Sequence, residues 1–374
     1  MTTVVFVHGV ATRATPAYEI ETENRNSLFK SAVFGDKATI ISPMWGELVP
    51  KLLFDGASFR KSETQTLGLG GLEPSSDVNP TVLHVIAKES PSSALDLLFS
   101  ERIKMIEASG QKLDKADLAL FAGIVDLLDA DDQKPSGTPS ALKGLQDAVT
   151  DQDFVSEVRR LSNLPHNLAI GDALKSAAQA IADRAANLAA KGVHSTVVER
   201  LNPTVARFLG DVFIYLKQGS IREAIRATVR DAIQTAWTSR NGGKLVLVGH
   251  SLGGVILYDM LSDLKSAELP GDLRADALIT VGSQPGLFQE LGLFASSEGL
   301  PAKTAKKGPE AASLWLNVFD PIDVFGFCAA PMFPDAEDYS FSTITGLGAA
   351  HSAYFTRPQF YARLRRRLVE GGVL

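Results

Sequence analysis

The stretch Lys244 to Gly254, KLVLVGHSLGG, leaves a chain few ways to fold. Lys244 to Val248 is a short apolar run with β-branched residues, which predicts a buried strand. Val255, Ile256, Leu257, Met260 and Leu261 then recur at helical spacing. Between the two, Gly249-His250-Ser251-Leu252-Gly253 satisfies G-x-S-x-G. Strand, sharp turn and helix in that order predict Ser251 at the tip of a nucleophile elbow, supported by Gly249, His250 and Gly253. The two glycines have a steric reason. Beside a serine in a strained conformation, a side chain at 249 or 253 would crowd the strand or the helix start. The pattern alone is short enough to arise by chance; the flanking strand and helix give it meaning.

The rest of the chain supplies a frame for this turn. Thr3 to Val7 predicts a strand that is apolar on both faces, as an inner parallel strand is. It ends in His8-Gly9. A weakly helical stretch around Tyr18 to Phe34 and a short strand at Ala38 to Ser42 follow. Val205 to Leu216 and Ile221 to Trp237 read as helices, the second with Ser220 as N-cap and Glu223 completing a capping box. Beyond the elbow, Ala277 to Val281 and Ser313 to Phe319 predict strands. From there to His351 the chain reads as loop, and Arg357-Pro358 opens a last amphipathic helix. Alternating strands and helices predict an α/β fold with a mostly parallel sheet covered on both faces.

Residues 51–204 interrupt that alternation. Gly56 to Pro80 reads as a surface loop; its run Leu67-Gly68-Leu69-Gly70-Gly71-Leu72 lacks the spacing of a phosphate cradle. Thr81 to Ala130, Leu142 to Leu161 and Ile170 to Ala190 read as helical. A parallel crossover needs only about a dozen residues. This stretch is therefore expected to be a helical insertion, a cap or lid on a core formed by residues 1–50 and 205–374. Its last helix carries a stripe of Leu174, Ala178, Ile181, Ala185 and Leu188. Helix packing is the plain reading; a lid that meets lipid, substrate or a membrane surface is the sharper one.

Composition narrows the chemistry. A net charge of −6 argues against a nucleic-acid partner, which would need a basic face. With Cys328 as the single cysteine, no intrachain disulfide can form. The start of the chain lacks a leader pattern and no apolar run suits a membrane span, so a cytoplasmic home is expected. No H-E-x-x-H or cysteine cluster occurs, and neither a metal nor a cofactor is expected. The basic tail Arg363, Arg365, Arg366 and Arg367 reads as a solvated helix face.

A serine hydroxyl needs a base to act as a nucleophile. After a nucleophile elbow the partners follow in the order serine, acid, histidine. Of His8, His84, His166, His194, His250 and His351, His351 alone follows Ser251. Two acids, Asp320 and Asp323, close the strand that ends at Phe319. Asp323 is preferred, because the turn through Pro321 carries it past the strand end; Asp320 is the alternative, otherwise bonding the turn's amides. Asp335 and Asp338 read as solvated. An oxyanion hole needs two N–H donors. Leu252 is expected to supply one, and Val10 or Ala11, in the loop after the first strand, the other. His8 precedes the serine and is expected to be structural; His250 is expected to pack beside the elbow.

V-F-V-H-G at the start, G-H-S-L-G-G at the elbow, the acid after a strand and the late histidine resemble the α/β-hydrolase superfamily, and especially its lipases and esterases. N-V-F-D-P-I-D-V and H-S-A-Y-F are similar to the acid and histidine segments of bacterial lipase-like serine hydrolases. That similarity again points to Asp323 and His351. It covers roughly residues 1–50 and 205–374 and leaves the insertion without a counterpart. It implies a serine hydrolase acting on small-molecule or lipid esters through an acyl-enzyme. Acyl transfer or amide cleavage would use the same triad, and a non-catalytic interaction module on the same scaffold is the alternative of another class.

Overall fold

Thr2–Val7 (β1), Thr39–Ile41 (β2), Lys244–His250 (β3), Ala277–Val281 (β4), Trp315–Phe319 (β5) and Ala336–Ser340 (β6) form one sheet. Their order is β2-β1-β3-β4-β5-β6, and every neighbouring pair is parallel. The computed structural model describes residues 1–49, 83–162, 168–190, 209–217, 219–297, 301, 303–345 and 349–374. From β1 the chain steps to β2 on one side, then returns to the other side for β3 and continues outward to β6. The direction of winding reverses between β1 and β3, so a crevice opens outside their carboxyl ends.

Helices cover both faces, because successive strand residues point to opposite sides. Val5, Val7, Leu245 and Leu247 pack against Ser220–Ser239 (α9) and Leu252–Ser262 (α10), through Ile225, Val229, Val255 and Ile256. These two labels follow α1 to α8, which come earlier in the chain: Pro16–Phe29 (α1), Leu83–Glu89 (α2), Pro91–Ala108 (α3), Lys115–Asp132 (α4), Lys143–Gln146 (α5), Asp151–Leu161 (α6), Leu168–Ala190 (α7) and residues 209–216 (α8). Pro285–Glu290 (α11) and Pro358–Glu370 (α12) complete the set. On the opposite face Val4, Phe6, Val246 and Val248 belong to one apolar cluster with residues of α1, α3, α4 and α12.

The helices expected to form a cap therefore share the sheet's own core. Leu95, Leu98, Phe99 and Ile103 of α3 and Phe121 and Ile124 of α4 join one apolar cluster with Phe6, Ile279, Tyr361 and Leu364. Each such side chain contributes roughly 1.5–3 kcal/mol when fully buried, so this layer is held to the sheet by its packing. In the α7 stripe, Leu174 and Ala178 belong to the same cluster and Ile181 packs against it, in keeping with helix packing. The glycine-rich run at 67–72 and both proposed domain boundaries lie outside the described residues.

Several local expectations are corrected. The stretch before His351 contains β6, an edge strand whose sequence AEDYS has no apolar run and whose side chains are mostly half-buried or exposed. A pattern search for buried strands has nothing there to find. The capping box at Ser220 and Glu223 does not form: α9 starts one residue earlier, with Gly219 as its cap and no side-chain cap bond. Instead, Thr150 and Asp153 make a reciprocal box at the start of α6, breaking the helix expected over 142–161. The arginine tail is not merely solvated. Arg365 and Arg366 of α12 both bond Asp129 of α4, at 3.3 and 2.8 Å, and Arg365 also reaches Asp126 at 2.7 Å. Asp338 is likewise engaged, accepting from Ala329 N and Ala330 N, at 2.9 and 3.0 Å, and from Asn317 Nδ2 at 2.7 Å.

Candidate active site

The crevice at the strand ends gathers the residues singled out above. Ser251 joins β3 to α10 with φ 54° and ψ −129°. This backbone region is unfavourable for a side chain, and the surroundings must enforce it. They do so by contact. A Cβ on Gly253 would fall inside the Val7 carbonyl, and one on Gly249 would strike the Gly254 backbone. The turn is also tied by hydrogen bonds: Ser251 N donates to Val281 O at 3.0 Å, and Ser283 Oγ donates to Ser251 O at 2.6 Å. Neither Ser283 bond nor the β4 anchor could be read from the motif, because both come from the neighbouring strand.

His351 lies in a short 3-10 turn, Ala350–Ser352. Its Nδ1 is 2.9 Å from Asp323 Oδ2 and 3.1 Å from Oδ1. The Asp323 side chain is wholly buried. Burial alone would raise its pKa. The bond and charge of His351, Phe325 N–H at 2.9 Å and the Tyr354 hydroxyl at 2.9 Å outweigh it and hold the carboxyl below its ordinary range. Asp323 is thus a carboxylate aimed at the imidazole. Asp320 is committed elsewhere: its carboxylate accepts Ile322 N at 3.0 Å, Thr343 N at 2.6 Å and Thr343 Oγ1 at 2.7 Å. Geometry therefore pairs Asp323, not Asp320, with His351. Tyr354 links the two acids, donating to Asp323 and accepting from Asp320 N at 2.8 Å.

Ser251 Oγ and His351 Nε2 are both buried and without a hydrogen-bond partner. A buried polar atom left unpaired costs free energy. The two residues are brought together at the end of β4. Val281 holds Ser251 N, and a Cβ on the next residue, Gly282, would lie 2.9 Å from Asp323 Oδ2 and 3.4 Å from His351 Nδ1. The space is closed on the other side by Gly9, where a Cβ would come within 2.7 Å of Ser251 Cβ.

The donors for an oxyanion divide in a way the sequence did not foresee. Leu252 is the first residue of α10, so its N–H has no helical carbonyl to bond. Ala11, with φ 58°, donates its N–H to Asp211 Oδ2 at 2.7 Å. Asp211 is a buried residue of α8 that also pairs with Arg13 at 3.6 Å. This bond engages Ala11 N and leaves Val10 N as the loop's candidate donor. His8 is structural, as expected. Its ring stacks on Trp45 at 4.7 Å, Nδ1–H donates to Gly9 O at 2.8 Å, and Nε2 accepts Trp45 N at 3.2 Å. Burial pushes its pKa down to about 4, so it stays neutral. His250 does more than pack beside the elbow: its Nε2 donates to the carbonyl of His351 at 2.7 Å.

No known family, curated protein or solved structure gives a match to this chain. The site must be read from its own geometry. Among the described residues no group of histidine, cysteine or acidic side chains is arranged to hold a metal ion, and no helix is long and apolar enough to cross a membrane. Tyr354, Asp211, Ser283 and Phe325, whose ring meets that of His351 edge-on at 5.0 Å, were missed by sequence reasoning. Tyr354 alone left a signal, in the H-S-A-Y-F segment.

Proposed function

We propose that this chain is a serine hydrolase of carboxylic esters, esterase- or lipase-like, built on an α/β-hydrolase fold. One observation carries the reading: a buried, unpartnered serine Oγ on a strained strand-to-helix turn, beside a histidine whose Nε2 is unpartnered and whose Nδ1 is bound to a buried carboxylate. Ser251 Oγ attacks the acyl carbon while His351 Nε2 takes the hydroxyl proton. Negative charge gathers on the carbonyl oxygen, where the N–H groups of Leu252 and Val10 stabilise it. The C–O bond to the alcohol breaks, and His351 returns the proton to the leaving oxygen. Water then attacks the acyl-serine, giving a proton to His351. The carboxylic acid leaves as Ser251 is reprotonated. Asp323 stays ionised throughout and offsets the imidazolium charge.

Small p-nitrophenyl esters and a fluorophosphonate probe test this reading. The wild-type chain is expected to turn over the esters and to be labelled at Ser251. Ser251→Ala should remain folded and lose roughly 10,000-fold or more in kcat/KM, as removal of a triad nucleophile does. Retained turnover in that variant would sink the assignment. Acyl chain-length profiling then separates an esterase from a lipase preference.

A further inference from the structure

His250 stands next to the nucleophile in sequence, yet its strongest contact is with the base. It is the last residue of β3, a strand paired on both sides, and its Nε2–H reaches across to the backbone carbonyl of His351 at 2.7 Å. The two imidazoles lie 4.8 Å apart with a 34° tilt. Phe355 packs edge-on against the His250 ring at 5.4 Å, and Tyr354 at 6.4 Å. Ser251 and the donor to the base's backbone are thus carried by adjacent residues of one rigid strand end. His351 itself sits in a short turn with no strand or long helix to fix it.

We propose that His250 is a positioning residue, whose Nε2–H bond to the His351 carbonyl sets the distance between Ser251 Oγ and His351 Nε2. The inference rests on the serine-hydrolase reading. The bond requires the proton on Nε2 of His250. A neutral ring also avoids placing a second positive charge beside the imidazolium that forms on His351. The groups that act on the ring are His351 from its 3-10 turn, Asp323 beyond the end of β5 and Arg25 from α1. Burial, and after it the neighbouring His351, hold the His250 pKa down to about 3, against the favourable carbonyl bond and Asp323. Misplacement of a reacting group by about 1 Å can cost on the order of 100-fold in rate. The strand that carries Ser251 is therefore tied to the His351 backbone by this hydrogen bond, alongside the Asp323 bond that holds the imidazole.

The test uses the full chain. His250→Phe keeps an aromatic ring and removes the donor; it is expected to lower kcat roughly 10- to 100-fold with KM changed by less than about twofold. His250→Gln, which restores a donor, should recover kcat to within about fivefold of wild type. Unchanged kcat in the Phe variant, or no recovery with Gln when both variants are folded, overturns the proposal. Ring-nitrogen NMR of the wild-type chain decides the matter if a variant does not fold. His250 should remain a neutral Nε2–H tautomer between about pH 5 and about pH 8. A protonated ring in that range, or an Nδ1–H tautomer, overturns the proposal. Failure of the hydrolase reading looks different: the wild-type chain would not label with fluorophosphonate, whatever the state of His250.

Discussion

The elbow and the histidine arm, residues 349–357, hold Ser251 and His351, the two residues proposed to react, by different physics. The elbow is fixed by exclusion. Gly253 admits no Cβ against the Val7 carbonyl of β1, Gly249 none against the α10 backbone, and Ser251 is held at positive φ between them. The arm is fixed by attachment. Thr356 Oγ1 and Ser100 Oγ of α3 are 2.8 Å apart, Arg357 donates to Asp96 O at 2.9 Å, and Gln359 N and Nε2 donate to the Asp96 carboxylate at 3.0 and 2.9 Å. Phe355 packs on Phe6 at 5.2 Å and Tyr354 holds both acids. The five residues of the turn are thus held by the backbones of β1, β4 and α10, whereas the arm depends on the side chains of His250, Asp323 and α3.

The largest way to test that contrast is at the acids. Asp323→Asn is expected to lower kcat by roughly 100- to 10,000-fold, since the acid orients the base and stabilises its charged form, and to lose the stability that its lowered pKa carries. Asp320→Asn should chiefly lower the melting temperature, because it weakens the bonds to Thr343 and Ile322. Steady-state kinetics and thermal unfolding on both variants decide it; an equal loss of kcat in the two would erase the distinction. Next comes the elbow. Gly253→Ala should destabilise the chain by about 3 kcal/mol or lower its yield of folded protein, through a clash with backbone that has nowhere to move. A wild-type melting temperature would show that exclusion does not fix the turn. Gly9→Ala should be milder in stability and reduce fluorophosphonate labelling, since the added carbon faces Ser251.

The smallest effect is in the arm, and it has a pH signature. Burial pushes the Asp96 pKa up from 3.8 to about 6, against the bonds from Gln359 and the charges of Arg357 and Arg363. In this window the folded state binds more protons than the unfolded one, so stability falls as pH rises from about 4 through about 6. Asp323 works in the opposite sense. Its folded pKa is lowered, so its contribution is present above the ordinary carboxylate range and is lost as acidification proceeds through the folded value. Asp96→Asn removes the first component. Its melting temperature relative to wild type is expected to rise between about pH 4 and about pH 7, with kcat reduced only a few-fold. A difference independent of pH would show that Asp96 is not a charged anchor of the arm.

Much of the site was legible because it obeys local rules. G-x-S-x-G between a strand and a helix, His351 as the sole later histidine, and Asp323 beyond the β5 end all sit where the geometry has them. The apolar runs of β1, β3, β4 and β5 were legible for the same reason, since strands buried on both faces must be apolar throughout. β6 was not, because an edge strand needs no such run. Nor was the engagement of Ala11 N–H, since Asp211 lies 200 residues away in sequence. Helices α3 and α4 could be recognised by their period, but not the face of the sheet whose core they share.

By itself the sequence determined the strand, turn and helix around Ser251, the chain order of Ser251, Asp323 and His351, and the parallel α/β alternation. Spacing and side-chain size act over a few residues, so a linear reading captures them. The tertiary structure alone decided what engages Asp320 instead of His351, which N–H of the first loop is left unengaged by Asp211, and that α3 and α4 join the sheet's core. Those outcomes depend on which distant groups compete for each hydrogen bond and each buried surface. At the elbow the two levels meet: Gly249 and Gly253 leave room for the bend of Ser251, while His250 between them extends a bond to the His351 carbonyl that only the folded chain brings within reach.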